Sequence, residues 1–340
     1  MKNIVILATG GTIAGAGEQG KDIGYKSGSI KVQTLIDAIP ELKNVANICV
    51  EQFCNINSDD ITSELWIALA CRIQELLQRE DVDGIVVMHG TDTMEETAFF
   101  LSLVLNVAET VAKPVVMTGS MRPATAAEPD GPANLLFAVK SAVSLSCPPH
   151  ELSCPPLSGH HPLVNEKNPA DVYVAFAGKL MNARSVQKIH ANDLDAFAEL
   201  SSRPHCHPGF IPGSPSCSAF DISNLRELPR VSVLYFNADA DAELVRFAAE
   251  RSAGLVIAGA GAGEFSRVWA SAIADAVAEK NIPVVISTRI NRGRIVPEQL
   301  LVPGTIAAYD LPPAKAAVLL RLALIITNDL AEIQEMFSSQ

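Results

Sequence analysis

The chain has 340 residues, long enough for two domains of ordinary size, and its 48% apolar and 19% charged residues exclude an intrinsically disordered protein. A formal net charge of −12 argues against a nucleic-acid backbone or an anionic membrane surface as partner. It leaves a small anionic or zwitterionic substrate open, because charge local to a site decides that.

No apolar run reaches the roughly 18 residues that a membrane span needs. The start, Met1-Lys2-Asn3-Ile4, runs directly into an apolar strand without the apolar region and cleavage site of a signal peptide. A cytoplasmic protein is expected, with a trimmed start as the alternative.

In chain order, strands are expected at residues 3–8, 48–53, 84–88, 115–118 and 172–176, with helical apolar spacing at 60–78 and 93–107 between them. Such alternation predicts a parallel sheet with helices on both faces. A second set follows, with strands at 231–236, 255–258 and 284–287, helices at 240–251 and 265–279, and closing helices at 313–326 and 329–337. The expected organisation is a two-domain α/β protein. A larger N-terminal parallel-sheet domain covers 1–200, a linker rich in Pro, Gly and Ser covers 201–219, and a smaller C-terminal parallel α/β domain covers 220–340.

One stretch breaks the pattern. Leu145-Ser146-Cys147-Pro148-Pro149 recurs as Leu152-Ser153-Cys154-Pro155-Pro156 inside a proline-dense segment, 144–169, that reads as a surface loop. Seven cysteines (Cys49, Cys54, Cys71, Cys147, Cys154, Cys206 and Cys217) form no CxxC pair. They read as reduced structural thiols. His160-His161 and His205-Cys206-His207 are the nearest approach to a metal cluster, and neither has the spacing of a zinc site. No metal is expected.

The most informative segments are two apolar strands that each end in a glycine turn exposing threonine. The first is Ile4-Val5-Ile6-Leu7-Ala8-Thr9-Gly10-Gly11-Thr12-Ile13-Ala14-Gly15; the second is Gly84-Ile85-Val86-Val87-Met88-His89-Gly90-Thr91-Asp92-Thr93-Met94-Glu95-Glu96-Thr97. Ligands of open parallel sheets collect outside the carboxyl ends of strands, and a threonine hydroxyl becomes a nucleophile when a neighbour eases removal of its proton. Plainer readings exist for each part. Gly10-Gly11-Thr12 can be an ordinary turn, and the glycines that follow it (Gly15, Gly17, Gly20, Gly24 and Gly28) suggest a mobile flap carrying Tyr25. Thr93 with Glu96 fits a capping box, and Ser58, Asp59 and Asp60 fit a helix cap. Lys188 can be a solvated surface lysine. Gly15-Ala16-Gly17-Glu18-Gln19-Gly20 matches GxGxxG without a strand before it, and Gly259-Ala260-Gly261-Ala262-Gly263-Glu264 lacks the third glycine, so a dinucleotide site is weakly supported.

Together with Lys113-Pro114-Val115-Val116-Met117-Thr118-Gly119-Ser120-Met121-Arg122-Pro123 and Asp130-Gly131-Pro132-Ala133-Asn134-Leu135-Leu136, these segments resemble the bacterial-type L-asparaginase family, which includes the glutaminase-asparaginases. The likeness is nearly ungapped from 2 to about 143 and weaker from 181 to 197 and from 220 to 337. It implies a flavodoxin-like N-terminal domain and an amidohydrolase that converts L-asparagine to L-aspartate and ammonia by double displacement, with no cofactor. By resemblance Thr12 is the nucleophile and Tyr25 relays its proton, while Thr91, Asp92 and Lys188 form a second triad. Lys188 is identified from Asn182-Ala183-Arg184-Ser185-Val186-Gln187-Lys188, which is similar to the family's R-x-V-x-K pattern. Backbone N–H groups around Gly11–Thr12 and Thr91–Asp92 would hold the oxyanion.

Ser58, Asp59, Thr91 and Asp92 would grip the substrate's carboxylate and ammonium, with Asp59 one methylene shorter than the family's Glu at that position. Glu264, in a turn where the family has Asn or Ser, and Glu298, whose alignment needs a gap, would reach the substrate of a partner subunit in a homotetramer built as a dimer of dimers. Segments 120–123 and 130–132 would support the site and the subunit contact. The stretch 144–169 is an insertion relative to the family, and 199–219 is shorter than its counterpart. The alternatives are a glutaminase-asparaginase with broad ω-amide specificity and a catalytically impaired amino-acid-binding homologue.

Overall fold

The computed structural model describes residues 1–21, 24, 26, 28–105, 113–146, 171–200 and 220–340. Its contacts divide the chain into two units, Met1–Glu199 and Leu200–Gln340. The linker expected over 201–219, the Pro-rich stretch from 147 onward with its His pair, and Tyr25 lie outside the described residues.

In the first unit, β1 (Asn3–Gly10), β2 (Asn47–Ile56), β3 (Gly84–Met88), β4 (Val115–Thr118), β5 (Val172–Phe176) and β6 (Lys179–Asn182) form one sheet in the order β2-β1-β3-β4-β5-β6. The first five strands run parallel, and β6 returns antiparallel to β5. Ile4, Ile6, Ile85, Val86 and Val87 are wholly buried. Strands without polar alternation need cover on both faces, which is what crossover helices supply. β2, at the sheet's edge, is half-buried or exposed at every position.

The helices of this unit are α1 (Val32–Asp37), α2 (Leu42–Val45), α3 (Ser63–Leu77), α4 (Met94–Val104) and α5 (Gly131–Leu145). α1, α2 and α5 place Val32, Ile36, Leu42, Leu135 and Val139 against Ile4, Ile6, Val86 and Met88. Since successive strand residues point to opposite faces, Val5, Leu7 and Val87 face the other way. α3 and α4 pack against β3 and β5 and against each other, with the Trp66 and Phe100 rings stacked at 5.1 Å. α4 is buried along its whole length from Thr97 to Val104, so it behaves as a core helix. A separate ribbon, β7 (Val186–Lys188) with β8 (Phe197–Glu199), sets Lys188 opposite Phe197.

This order makes β1 and β3 neighbours whose outgoing connections run to opposite sides of the sheet. The crevice outside their carboxyl ends is therefore the topological switch point, where open α/β sheets hold ligands. Both threonine-bearing turns lie there.

The second unit has a four-stranded parallel sheet of β9 (Val231–Tyr235), β10 (Gly254–Gly259), β11 (Val284–Thr288) and β12 (Ile306–Ala307), ordered β12-β11-β10-β9. Val245 of α6 (Glu243–Ala249) with Trp269 and Ile273 of α7 (Arg267–Lys280) fill one core against Leu255, Ile257 and Ile286. α8 (Pro313–Ile326) packs on β9, β10 and β11, and α9 (Leu330–Ser339) packs on α8 and β12. Both units are α/β with parallel-dominated sheets, as the alternation of apolar runs predicts.

Several local expectations need correction. The capping box at Thr93–Glu96 does not form: the Thr93 hydroxyl donates to the Ser58 carbonyl at 2.7 Å. Nor do Ser58, Asp59 and Asp60 cap α3. They make their own 3₁₀ turn, and Thr62 caps the helix by accepting the Leu65 N–H. In the described part of the glycine-rich segment, Ala16 and Lys26 exchange backbone hydrogen bonds, and the N–H groups of Gly17 and Gly20 donate to Thr125.

Candidate active site

Glycine makes the meeting of the two turns possible. Gly11 has φ +82°, and a Cβ there would stand 2.7 Å from the Gly90 Cα. A Cβ on Gly90 would in turn stand 2.7 Å from the Ser58 hydroxyl. Three backbone segments, after β1, after β2 and after β3, thus close on one another at distances that side chains forbid. Between them opens a cleft of about 230 Å³ lined by Gly11, Thr12, Asn57, Ser58, Asp59, Gly90, Thr91 and Asp92. That volume lies below the roughly 300–1,000 Å³ typical of drug-sized ligands and suits a molecule the size of an amino acid.

Thr12 opens a 3₁₀ turn directly after the β1 glycines and lines the cleft half-buried. Ser58 is buried and ties two loops together, its hydroxyl accepting the Asp92 N–H at 3.2 Å and its carbonyl accepting from Thr93. Asp59 and Asp92 are exposed at the cleft. Lys188 stands behind Thr91: its ammonium donates to the Thr91 hydroxyl at 2.9 Å and to Asp92 Oδ1 at 2.6 Å. The lysine side chain is only 15% exposed, against 68% for Asp92. Lys188 is therefore no solvated surface lysine.

What holds Lys188 there is visible in its backbone. The Lys188 N–H donates to a carboxylate oxygen of Glu95, in the first turn of α4. Upstream, the Asn182 N–H and the Ser185 hydroxyl both donate to Glu199 Oε1, and the Arg184 N–H donates to the Asn182 side chain, so the turn into β7 is braced by polar contacts. A glutamate in the first turn of a helix already suits the helix dipole, whatever else it touches. Its spacing one turn into a helix carries no hint of a contact 93 residues away.

The expected oxyanion donors narrow. The Gly11 N–H is taken by the Ile56 carbonyl at 3.0 Å and the Asp92 N–H by Ser58. The Thr91 N–H has no partner among the described residues.

His89, unassigned by the sequence reading, is 1% exposed beneath this turn. Its Nδ1 lies 2.8 Å from the Gly90 carbonyl and its Nε2 lies 3.2 Å from the Thr97 hydroxyl, which accepts the Trp66 indole N–H at 2.9 Å. A carbonyl can only accept, so Nδ1 carries the proton; Thr97 then donates to Nε2, and the ring is neutral. Burial pushes its pKa down from 6.5 to about 4, partly opposed by the Gly90 hydrogen bond. A depressed folded-state pKa means that protons favour the unfolded chain. The contribution is fully present above about pH 6.5 and is lost as pH falls toward 4, a change of up to about 3 kcal/mol. Urea unfolding between pH 7 and pH 4.5 should therefore weaken the parent protein more steeply than a His89→Asn variant.

Glu264 and Glu298 belong to the second unit. Glu264 closes a β-bridge with Ala260, Glu298 sits in a 3₁₀ turn, and both are exposed. Among the described residues no group of His, Cys, Asp and Glu is arranged to hold a metal ion, and the described cysteines Cys49, Cys54 and Cys71 are free. No helix of the described residues is long and apolar enough to cross a membrane.

Comparison with known proteins fits this geometry. Residues 3–152 match the asparaginase N-terminal domain family, and residues 230–337 match the glutaminase/asparaginase C-terminal domain family. The chain belongs to the asparaginase family. It is 38% identical over 350 residues to L-asparaginase 2 of Bacillus subtilis, covering 99% of this chain and 86% of that protein. It is 35% identical over 353 residues to L-asparaginase 2 of Escherichia coli, with 99% and 93% covered. A crystal structure described as a probable cytoplasmic L-asparaginase from Campylobacter jejuni superposes with a TM-score of 0.84 at 34% identity over the full length of both chains. This asparaginase-family protein is accordingly an amidohydrolase acting on a small molecule, with the family's two-unit α/β fold.

Proposed function

We propose that the protein hydrolyses the side-chain amide of L-asparagine to L-aspartate and ammonia through a covalent threonine ester. The observation that carries this reading is the contact of Lys188 with both Thr91 and Asp92 at a cleft that Thr12 also lines. In the first half-reaction the Thr12 oxygen attacks the amide carbon. Its proton passes, by way of Tyr25 in the resembled family, to the departing nitrogen, and ammonia leaves a β-aspartyl ester on Thr12. In the second, water gives up a proton through the Thr91 hydroxyl and the Lys188 behind it. The hydroxide attacks the ester, aspartate leaves, and the Thr12 oxygen regains a proton. Asp92 holds the lysine at both stages, and the Thr91 N–H meets the developing oxyanion, a donor type worth about 3–4 kcal/mol in other acyl-transfer enzymes.

Ser58 would bind the substrate carboxylate, and Asp59 and Asp92 the ammonium. By family resemblance Glu264 and Glu298 would be supplied to the neighbouring site within a cytoplasmic homotetramer. A second reading, hydrolysis of L-glutamine as well, is favoured by Asp59, whose short side chain leaves room at the cleft, and by the glutaminase/asparaginase C-terminal match. Ammonia release from each amide decides between them. Turnover of asparagine at least tenfold above glutamine is the expected result; equal turnover establishes the broader activity, and release from neither overturns both.

A further inference from the structure

His89 is buried, neutral, hydrogen-bonded at both ring nitrogens and one residue away from the turn that carries Thr91, yet the reaction above gives it no proton to move. Its Nδ1–H grips the carbonyl of the Gly90–Thr91 peptide at 2.8 Å, and that same peptide bears the Thr91 N–H. A trans peptide is planar, with its C=O and N–H pointing in opposite directions. Pulling the carbonyl inward toward the imidazole therefore turns the N–H outward. Outward, for Thr91, is the cleft it lines, and the N–H meets no other described residue there.

The imidazole is itself fixed from behind. Trp66 Nε1–H donates to Thr97 Oγ1, which holds the Thr97 hydroxyl in place beside His89 Nε2. The Gly90 carbonyl can only accept, so it is this contact that places the proton on Nδ1 and leaves Nε2 of the neutral ring as the acceptor. Gly90, with no side chain, offers little resistance to rotation of its peptide, so some outside group has to set the plane.

We propose that His89 is a positioning residue of this enzyme. Held by Thr97 and Trp66, it sets the plane of the Gly90–Thr91 peptide and so aims the Thr91 N–H at the oxyanion. This role rests on the reading of the cleft as an acyl-transfer site.

The test compares His89→Asn, His89→Gln and His89→Phe in the full-length protein with asparagine as substrate. Asparagine keeps an amide N–H near the Nδ1 position. Glutamine carries its amide out toward Nε2 and loses the Gly90 bond, and phenylalanine loses both bonds. His89→Gln and His89→Phe should lower kcat by about 10- to 100-fold, less than outright loss of an oxyanion donor. KM, aspartate binding and the shape of the pH–rate profile should stay as in the parent, and His89→Asn should recover most of kcat. Nitrogen NMR of the parent should show the His89 proton on Nδ1, an observation that does not depend on any variant folding.

The inference is overturned if His89→Gln turns over like the parent, if kcat and aspartate binding fall together, if the profile's pKa values move, or if the proton sits on Nε2. Thr12→Val run alongside separates the two levels. If it is inactive while His89→Gln is fully active, only the positioning role fails. If Thr12→Val itself remains active, the reading of the cleft fails first.

Discussion

A Thr12→Val variant is expected to release ammonia from asparagine on the order of 10⁴-fold more slowly than the parent. Valine keeps the branched shape of threonine and replaces its hydroxyl by a methyl group, so the half-buried position after Gly11 is filled with little strain. What disappears is the oxygen that forms the ester. The residual rate would come from binding and oxyanion contacts that the variant keeps, which is why a nucleophile deletion leaves some catalysis over water. Aspartate should still bind, because Ser58, Asp59 and Asp92 are untouched, and a thermal shift with aspartate reads this. Near-parental ammonia release would mean that another group attacks the amide.

Lys188→Met should cut steady-state turnover by about 10²- to 10⁴-fold, the usual worth of a general base. Methionine fills much of the lysine's space but cannot take a proton from Thr91 or from water. Folding should survive the change. The partner Asp92 is 68% exposed, so the lost ion pair is close to the surface class that contributes little, and the strand that carries residue 188 is held by its own N–H on Glu95. If the lysine serves ester hydrolysis, the first turnover should stay fast, giving a burst of ammonia followed by a slow steady rate. A mild effect on turnover would return Lys188 to a structural role.

Much of the fold is readable in the chain because its signals are strong and local. Residues 84–88 are apolar at every position, and that reads directly as a strand covered on both faces. Short elements lack such a signal. β6 through β8 and the brief α1 and α2 pass below the length at which periodicity speaks, and they are fixed instead by tertiary partners such as Glu199 for the turn at Asn182 and Ser185. Thr93 and Ser58 show how a locally sound rule is displaced. Each has the chemistry of a cap, yet across 35 residues of chain they hydrogen-bond to each other, because the loops after β2 and β3 meet at the cleft.

The same division holds at the site. Thr12, Ser58, Asp59, Thr91 and Asp92 line one cleft, and Thr12, Thr91 and Asp92 are carried by motifs whose glycines announce close backbone approach. His89 and Glu95 escaped notice because their significance lies in what they touch. A histidine at a strand end and a glutamate in a first helical turn have ordinary local explanations. Only the three-dimensional contacts, to the Gly90 carbonyl and to the Lys188 N–H, connect them to the chemistry.

The central claim is that an aspartyl group is carried on Thr12 while Lys188 serves its release. Its most direct test is to mix Lys188→Met protein with asparagine, quench it in acid during the ammonia burst, and map the acyl group on peptides by mass spectrometry. The account predicts an ester-linked aspartyl group on the peptide containing Thr12 and on that residue. An adduct on Thr91, or a burst of ammonia with no acylated residue, would contradict it.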